Sequence, residues 1–170
     1  MTTAEEVPIA IDSTRLQREL KQTKPFGSKQ QEAFLALLRT GDACKLRFTQ
    51  LFETEGVTFQ QYNVLRILRG SGEKGLPTLE IGERMIERTP GVTRIVDRLE
   101  AKALVARVRG VTDRRKVWCR ITLSGLELLA RLDDPTSRTD RAVFEGLAPE
   151  ELDELLRLLD AVRTGLSDPT

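Results

Sequence analysis

Apolar side chains recur along the chain at helical spacing in several separate runs. Phe34, Leu37, Leu38, Cys44, Phe48, Leu51 and Phe52 fall at three-, four- and seven-type intervals, which predicts one long amphipathic helix. Ser28 supplies its N-cap, and Gly56 ends it just beyond Glu55. A second helix opens at Thr58. Gln61 lies three residues on and completes a capping box, Val57 can staple onto Tyr62, and Tyr62, Leu65, Ile67 and Leu68 form its apolar side. The run Gly70-Ser71-Gly72-Glu73-Lys74-Gly75 breaks it. Pro77-Thr78 starts a short third helix to about Ile86, with Thr78 as N-cap. Thr89-Pro90 starts a fourth to about Lys102, with threonine as cap and proline in the first turn. Val92, Ile95, Val96 and Leu99 face inward on it.

The period then changes. Val105, Val108 and Val111 alternate with Arg107 and Arg109, and Val117-Trp118-Cys119-Arg120-Ile121-Thr122 is rich in strand formers. The segment between, Gly110 to Lys116, is a charged turn, so the pair predicts a β-hairpin. Thr122 or Ser124 caps a fifth helix carrying Leu126, Leu128, Leu129 and Leu132, which Pro135 is expected to end or kink before it resumes toward Phe144. Ala148-Pro149-Glu150-Glu151 opens a last helix with the stripe Leu152, Leu155, Leu156, Leu159 and Val162, its acidic first turn suiting the helix dipole. Ahead of all these, Met1 to Gly27 is polar and punctuated by Pro8, Pro25 and Gly27. It reads as an arm with one short helix over Ser13 to Lys21.

Composition narrows the function. The 170 residues are 39% hydrophobic and 31% charged, a globular balance. No apolar run is long enough for a membrane span, and Met1–Ala10 carries Glu5 and Glu6 without a basic residue, unlike a secretory leader. The chain has no histidine and two cysteines, Cys44 and Cys119. That gives no basis for a disulfide framework, a metal site, a cofactor or a general base, and the reading is a cytoplasmic protein that is not an enzyme. The net charge of +1 hides an asymmetry. Residues 83–120 hold 11 basic and 5 acidic side chains, a net of +6, whereas residues 121–170 hold 5 basic and 11 acidic, a net of −6. A basic block inside a neutral chain is an electrostatic footprint for a polyanion.

Two short helices joined by a tight turn at Glu87-Arg88, then a basic hairpin, have the order of a winged helix-turn-helix. The fold class expected is mainly α with a small β-hairpin wing and with N- and C-terminal dimerisation helices. Thr89, Pro90 and Gly91 make a small helix end that can enter a major groove closely, and Gly82 lets the two helices cross. A threonine methyl at Thr93 can touch thymine, and Arg94 can read guanine with both its donors; Arg98 adds a cation one turn on. The turn Asp113-Arg114-Arg115-Lys116 brings three cations to a hairpin tip suited to the minor groove, with Asp113 placed to clamp Arg115.

At these residues the chain resembles the MarR-type transcriptional regulators. The resemblance rests on Thr93-Arg94-Ile95-Val96-Asp97-Arg98-Leu99-Glu100, Leu104-Val105, Asp113-Arg114-Arg115 and Ile121-Thr122-Leu123-Ser124-Gly125, with Tyr62-Asn63-Val64-Leu65-Arg66-Ile67-Leu68 similar to the second helix. It implies a homodimer that binds an inverted repeat in double-stranded DNA, acts as a repressor and is released by a small aromatic or anionic ligand. It divides the chain into an arm (1–27), a first dimerisation helix (28–57), a DNA-binding domain (58–122) and C-terminal dimerisation helices (123–170). Arg47, Phe48 and Tyr62 are the candidate ligand residues. Two alternatives are a winged-helix module that docks an acidic protein and a thiol-based sensor acting through Cys44. Three departures from the family pattern stand out: Ala103 where glycine usually ends the recognition helix, Ile86 where the preceding turn often has glycine, and Pro135 within a helix usually continuous.

Overall fold

A computed structural model describes residues 14–109 and 117–167. The chain divides into two compact units, Met1–Cys44 and Lys45–Thr170. In the first, Thr14 caps the short helix α1 (Arg15–Glu19) by accepting from the Gln17 amide. The Gln17 side chain is buried and donates to the Lys24 carbonyl, which folds the following turn back. Helix α2 (Lys29–Glu53) begins here, with Ser28 Oγ accepting from the Gln31 amide. Phe34, Leu37 and Leu38, the first members of its apolar stripe, are exposed.

The second unit carries the core. Helix α3 (Phe59–Gly70) starts on the expected capping box, with both reciprocal hydrogen bonds between Thr58 and Gln61 present. Its residues Tyr62, Val64, Leu65 and Leu68 are buried together with Phe52 and Val57. Tyr62 stacks on Phe52 at 3.8 Å between ring centroids, and Phe48 and Phe59 flank Phe52 at about 6 Å. The two tilted pairs lie in the range of about 4.5–7 Å where ring contacts add to the burial of the rings themselves.

Strand β1 (Leu76–Pro77), helix α4 (Thr78–Arg84), helix α5 (Val92–Ala101) and strands β2 (Val105–Arg109) and β3 (Val117–Ile121) follow. The hairpin β2–β3 is in the register Val105↔Ile121 to Arg109↔Val117, and β1 adds to the other side of β3, with Leu76 opposite Cys119. The order β1-β3-β2 makes the sheet three-stranded rather than the bare hairpin expected. Pro77 is tolerated because β1 is an edge strand. The hairpin turn, residues 110–116, lies outside the described residues.

Helix α6 (Leu123–Phe144) begins at Thr122, whose hydroxyl accepts from the Gly125 amide, so Thr122 rather than Ser124 is the cap. Leu128, Leu129 and Leu132 are buried in the core. Pro135 does not end the helix, which stays continuous to Phe144, so of the two effects expected of it the break is absent. Buried side chains lie just before and just after it, Leu132 and Thr136, and the Arg69–Asp133 fork ties the same turn to α3. Tertiary packing of that turn outweighs the missing amide. Helix α7 (Pro149–Ser167) has the acidic start expected, and Glu151 reaches back to accept from the Ala148 amide. Leu156, Leu158, Val162 and Leu166 on it are exposed. No helix among the described residues is long and apolar enough to cross a membrane.

Candidate nucleic-acid interface

The candidate surface is built on the α4–turn–α5 unit. Ile81 of α4 and Val96 and Leu99 of α5 are fully buried and fasten both helices to the core. Gly82 sets their approach: a Cβ there would come 3.3 Å from Val92 Cγ2, tighter than ordinary contact. This agrees with the close crossing expected of Gly82.

The helix starts differ from the sequence reading. Pro77, not Thr78, is the cap position of α4; Thr78 is its first helical residue, and its hydroxyl lies 3.7 Å from Cys119 Sγ. Helix α5 starts at Val92 and Gly91 is its N-cap, so Thr89 and Pro90 belong to the preceding turn. Gly91 has φ 108° and ψ 25°, a conformation that a residue with a Cβ rarely adopts. The chain reverses there, and the Gly91 carbonyl still accepts from Arg94 and Ile95. Capping by Thr89 is replaced by a different bond: its hydroxyl donates to the Glu87 carbonyl at 3.3 Å.

Thr89, Pro90, Gly91 and Thr93 come together along one open cleft of about 800 Å³, whose other wall is Thr78, Leu79, Gly82 and Glu83 of α4. Thr93 and Arg94 are both exposed on the first turn of α5, and of the two Thr93 lines that cleft while Arg94 does not. Arg98 is exposed too but lines a separate cleft of about 530 Å³ with Thr58, Gln61 and Lys102. The structure therefore does not bring Arg98 together with the Thr89–Thr93 group. Asp113, Arg114, Arg115 and Lys116 fall outside the described residues.

Several side chains that fix this surface were not singled out from sequence. The Glu87 carboxylate accepts from Lys45 Nζ at 2.5 Å and from Gln60 Nε2 at 3.2 Å. The Lys45 ammonium holds this carboxyl below the usual carboxylate range, and Gln60 adds to the effect against a smaller opposing cost of burial. Asn63 Oδ1 accepts from the Ile86 amide at 3.0 Å. Ile86 itself is exposed and keeps an ordinary negative φ, so its turn has no need of the family's glycine. On the far side of α5, Arg107 of β2 spans Asp97 at 2.5 Å and Glu100 at 2.6 Å. Burial works against the Arg107 charge, and the two carboxylates overcome it, raising its pKa above the ordinary value. Asp97 and Glu100 lie three positions apart on α5, which puts both carboxylates within reach of one guanidinium.

The remaining candidates sit elsewhere. Tyr62 is buried; its hydroxyl donates to Thr136 Oγ1 at 3.5 Å and accepts from Arg66 at 3.0 Å. Phe48 is half-buried against the same aromatic group and Arg47 is exposed on α2. Cys44 is half-buried and Cys119 fully buried. No cluster of metal-ligating side chains occurs among the described residues.

A helix pair with an exposed, glycine-capped second helix, followed by an antiparallel hairpin with a short third strand, defines the winged helix-turn-helix class. Comparison with known proteins agrees. Residues 55–116 match the model of the MarR family. The chain is 39% identical to a MarR transcription factor of Planctomyces limnophilus, over 81% of this chain and 99% of that one, with a TM-score of 0.62. The HTH-type transcriptional regulator FarR of Neisseria gonorrhoeae is 25% identical over 82% of this chain and 99% of its own length. The PcaV transcriptional regulator of Streptomyces coelicolor, solved in complex with its natural ligand, is 25% identical over 85% of this chain and 100% of that one, with a TM-score of 0.69. The chain belongs to the MarR family of transcriptional regulators.

Proposed function

We propose that the protein is a cytoplasmic, homodimeric repressor that reads an inverted repeat in double-stranded DNA through α5 and leaves it on binding a small aromatic or anionic ligand. The observation that carries the reading is the start of α5. Gly91 caps it with no side chain, and Thr93 and Arg94 stand exposed on its first turn within the block of net charge +6. Thr89, Pro90 and Gly91 let this end approach base edges, Thr93 offers a methyl, and Arg94 offers paired donors to guanine. Arg98 adds backbone attraction. Arg114, Arg115 and Lys116, with Asp113 orienting Arg115, extend the contact to the neighbouring minor groove.

Residues 28–57 and 123–170 form the dimer in this reading, residues 58–122 bind DNA, and residues 1–27 form an arm. Exposed Phe34, Leu37 and Leu38 on α2 and Leu156, Val162 and Leu166 on α7 are the surfaces a second copy would cover. Ligand release is supported by the likeness to PcaV, solved with its natural ligand. Arg47, Phe48 and Tyr62 are the residues proposed to sense it, although Tyr62 would have to give up part of its packing. With no histidine in the chain, a binding protein is favoured over an enzyme.

The test is selection of bound sequences from a random DNA pool at physiological salt. The expected product is a palindrome with half-sites about one helical turn apart, bound with an affinity that falls steeply with salt. Arg94→Ala is expected to relax base preference at one position per half-site by about 1–3 kcal/mol. Arg115→Ala is expected to weaken all sequences alike. A pool that emerges without sequence preference would overturn the reading and favour a module that docks acidic proteins.

A further inference from the structure

The turn that presents Arg88, Thr89 and Pro90 is held by a carboxylate, and a carboxylate is the wrong charge for a surface facing DNA. Glu87 nevertheless stands directly before Arg88 and Thr89, which line the cleft. Its side chain takes Lys45 Nζ from α2 and Gln60 Nε2 from α3, and its main-chain carbonyl takes the Thr89 hydroxyl. The preceding residue is fixed as well, its amide bound by Asn63 of α3. Two helices therefore grip a stretch with no regular structure of its own. Glu87 is about 30% exposed at the side chain and Lys45 about 45%, so the grip lies at the surface and within reach of solvent.

We propose that Glu87 is a positioning residue for DNA reading: with Lys45 and Gln60 as its partners, it sets where the Thr89–Gly91 turn, and with it the first turn of α5, meets the base edges. The assignment rests on the DNA-binding reading above. Its consequences separate cleanly from charge. Glu87→Gln removes a negative charge from a surface that meets phosphate, so electrostatics alone makes every DNA bind more tightly. Lys45→Met removes a positive charge, so electrostatics alone makes every DNA bind more weakly. A positioning role moves a different quantity, the ratio of affinity for the selected palindrome to affinity for scrambled duplex, and moves it in the same direction in both variants.

The experiment measures that ratio for the full-length wild type, Glu87→Gln and Lys45→Met by fluorescence anisotropy at one salt concentration. The probes are the pool-selected duplex and a scrambled duplex of equal length, and circular dichroism melting establishes that each variant is folded. The expected result is a fall of about tenfold in the ratio for both variants, the equivalent of one mismatched base pair, while scrambled-duplex affinity rises for one and drops for the other. If Glu87→Gln fails to fold, Lys45→Met decides alone. A wild type with a high ratio that the folded variants retain overturns the role of Glu87 and leaves DNA reading intact. A wild type with a ratio near one removes the DNA reading and this assignment with it.

Discussion

Ala103 closes the end of α5 in the left-handed conformation, with φ 55°. Its surroundings show why. The Leu104 amide donates to the Leu99 carbonyl at 3.0 Å and the Ala103 amide to the Glu100 carbonyl at 2.8 Å. That is the 6→1 and 5→2 pair of a Schellman cap, and buried Leu99 and Leu104 supply its hydrophobic contact. An L residue pays about 1–2 kcal/mol to sit there. Glycine escapes the cost but loses more freedom on folding, which returns about 0.4–1 kcal/mol. The Ala103 methyl is exposed, so removing it forfeits little burial. Ala103→Gly is thus expected to stabilise the fold by about 0.5–1 kcal/mol, a rise of roughly 2–3 °C in Tm for a chain of this size. Urea unfolding at fixed protein concentration, followed by the single tryptophan, Trp118, measures it as a higher midpoint at unchanged slope. Gly91→Ala, at φ 108°, supplies the opposite sign, a loss of about 1 kcal/mol. A midpoint that stays or falls in Ala103→Gly would refute the account of the cap.

Pro135→Ala restores an amide within α6 and removes a ring clash, worth about 3 kcal/mol in a helix interior, less about 1 kcal/mol of lost unfolded-state restriction; a gain of about 2 kcal/mol in urea unfolding is expected. Asp133 is held below its ordinary pKa by the two Arg69 hydrogen bonds at 2.8 and 2.9 Å, against a smaller cost of burial and with help from the Arg66 charge. A carboxyl depressed in the folded state stabilises above its unfolded pKa and loses that contribution as pH falls through the native value. Wild type is therefore expected to exceed Asp133→Asn by about 1 kcal/mol near pH 7, a size limited by solvent screening of this half-exposed pair, with the two curves converging toward pH 3 in urea unfolding.

What could be read in advance depended on how far apart in sequence the deciding partners lie. The Thr58–Gln61 capping box and the acidic start of α7 are decided within three or four residues and form as read, and of the two caps open for α6, Thr122 and Ser124, Thr122 is the one that forms. The Thr89-Pro90 start was misread because the local cue was incomplete: threonine before proline fits a cap, yet the left-handed Gly91 two residues later reverses the chain. Strand β1 escaped notice because two residues carry no alternation, and its pairing with β3 spans more than forty positions. At Pro135 the converse holds for the helix end: the break its type suggests is absent where Leu132 and Thr136 are buried around it. In the candidate site the exposed residues Thr93 and Arg94 were legible from type and spacing, whereas Glu87 and Arg107 were legible only as charges. Their partners are Lys45, Gln60, Asp97 and Glu100.

That difference bears on how a surface of this kind is made specific. Arg94 carries a charge that any basic patch could supply, and charge by itself attracts all duplexes alike. Discrimination requires that the donor groups arrive at fixed places, because a base edge differs from its neighbour by the position of a donor, an acceptor or a methyl. Here α5 is fixed on three sides by unrelated means. Val96 and Leu99 anchor it to the core, Arg107 ties its second half to β2 through Asp97 and Glu100, and Glu87 holds the turn that leads into it. Two of the three are ion pairs with partly exposed members, worth little as stability. Their placement before and along one helix makes sense as control of position, with Glu87, Asp97 and Glu100 each taken up by a cation.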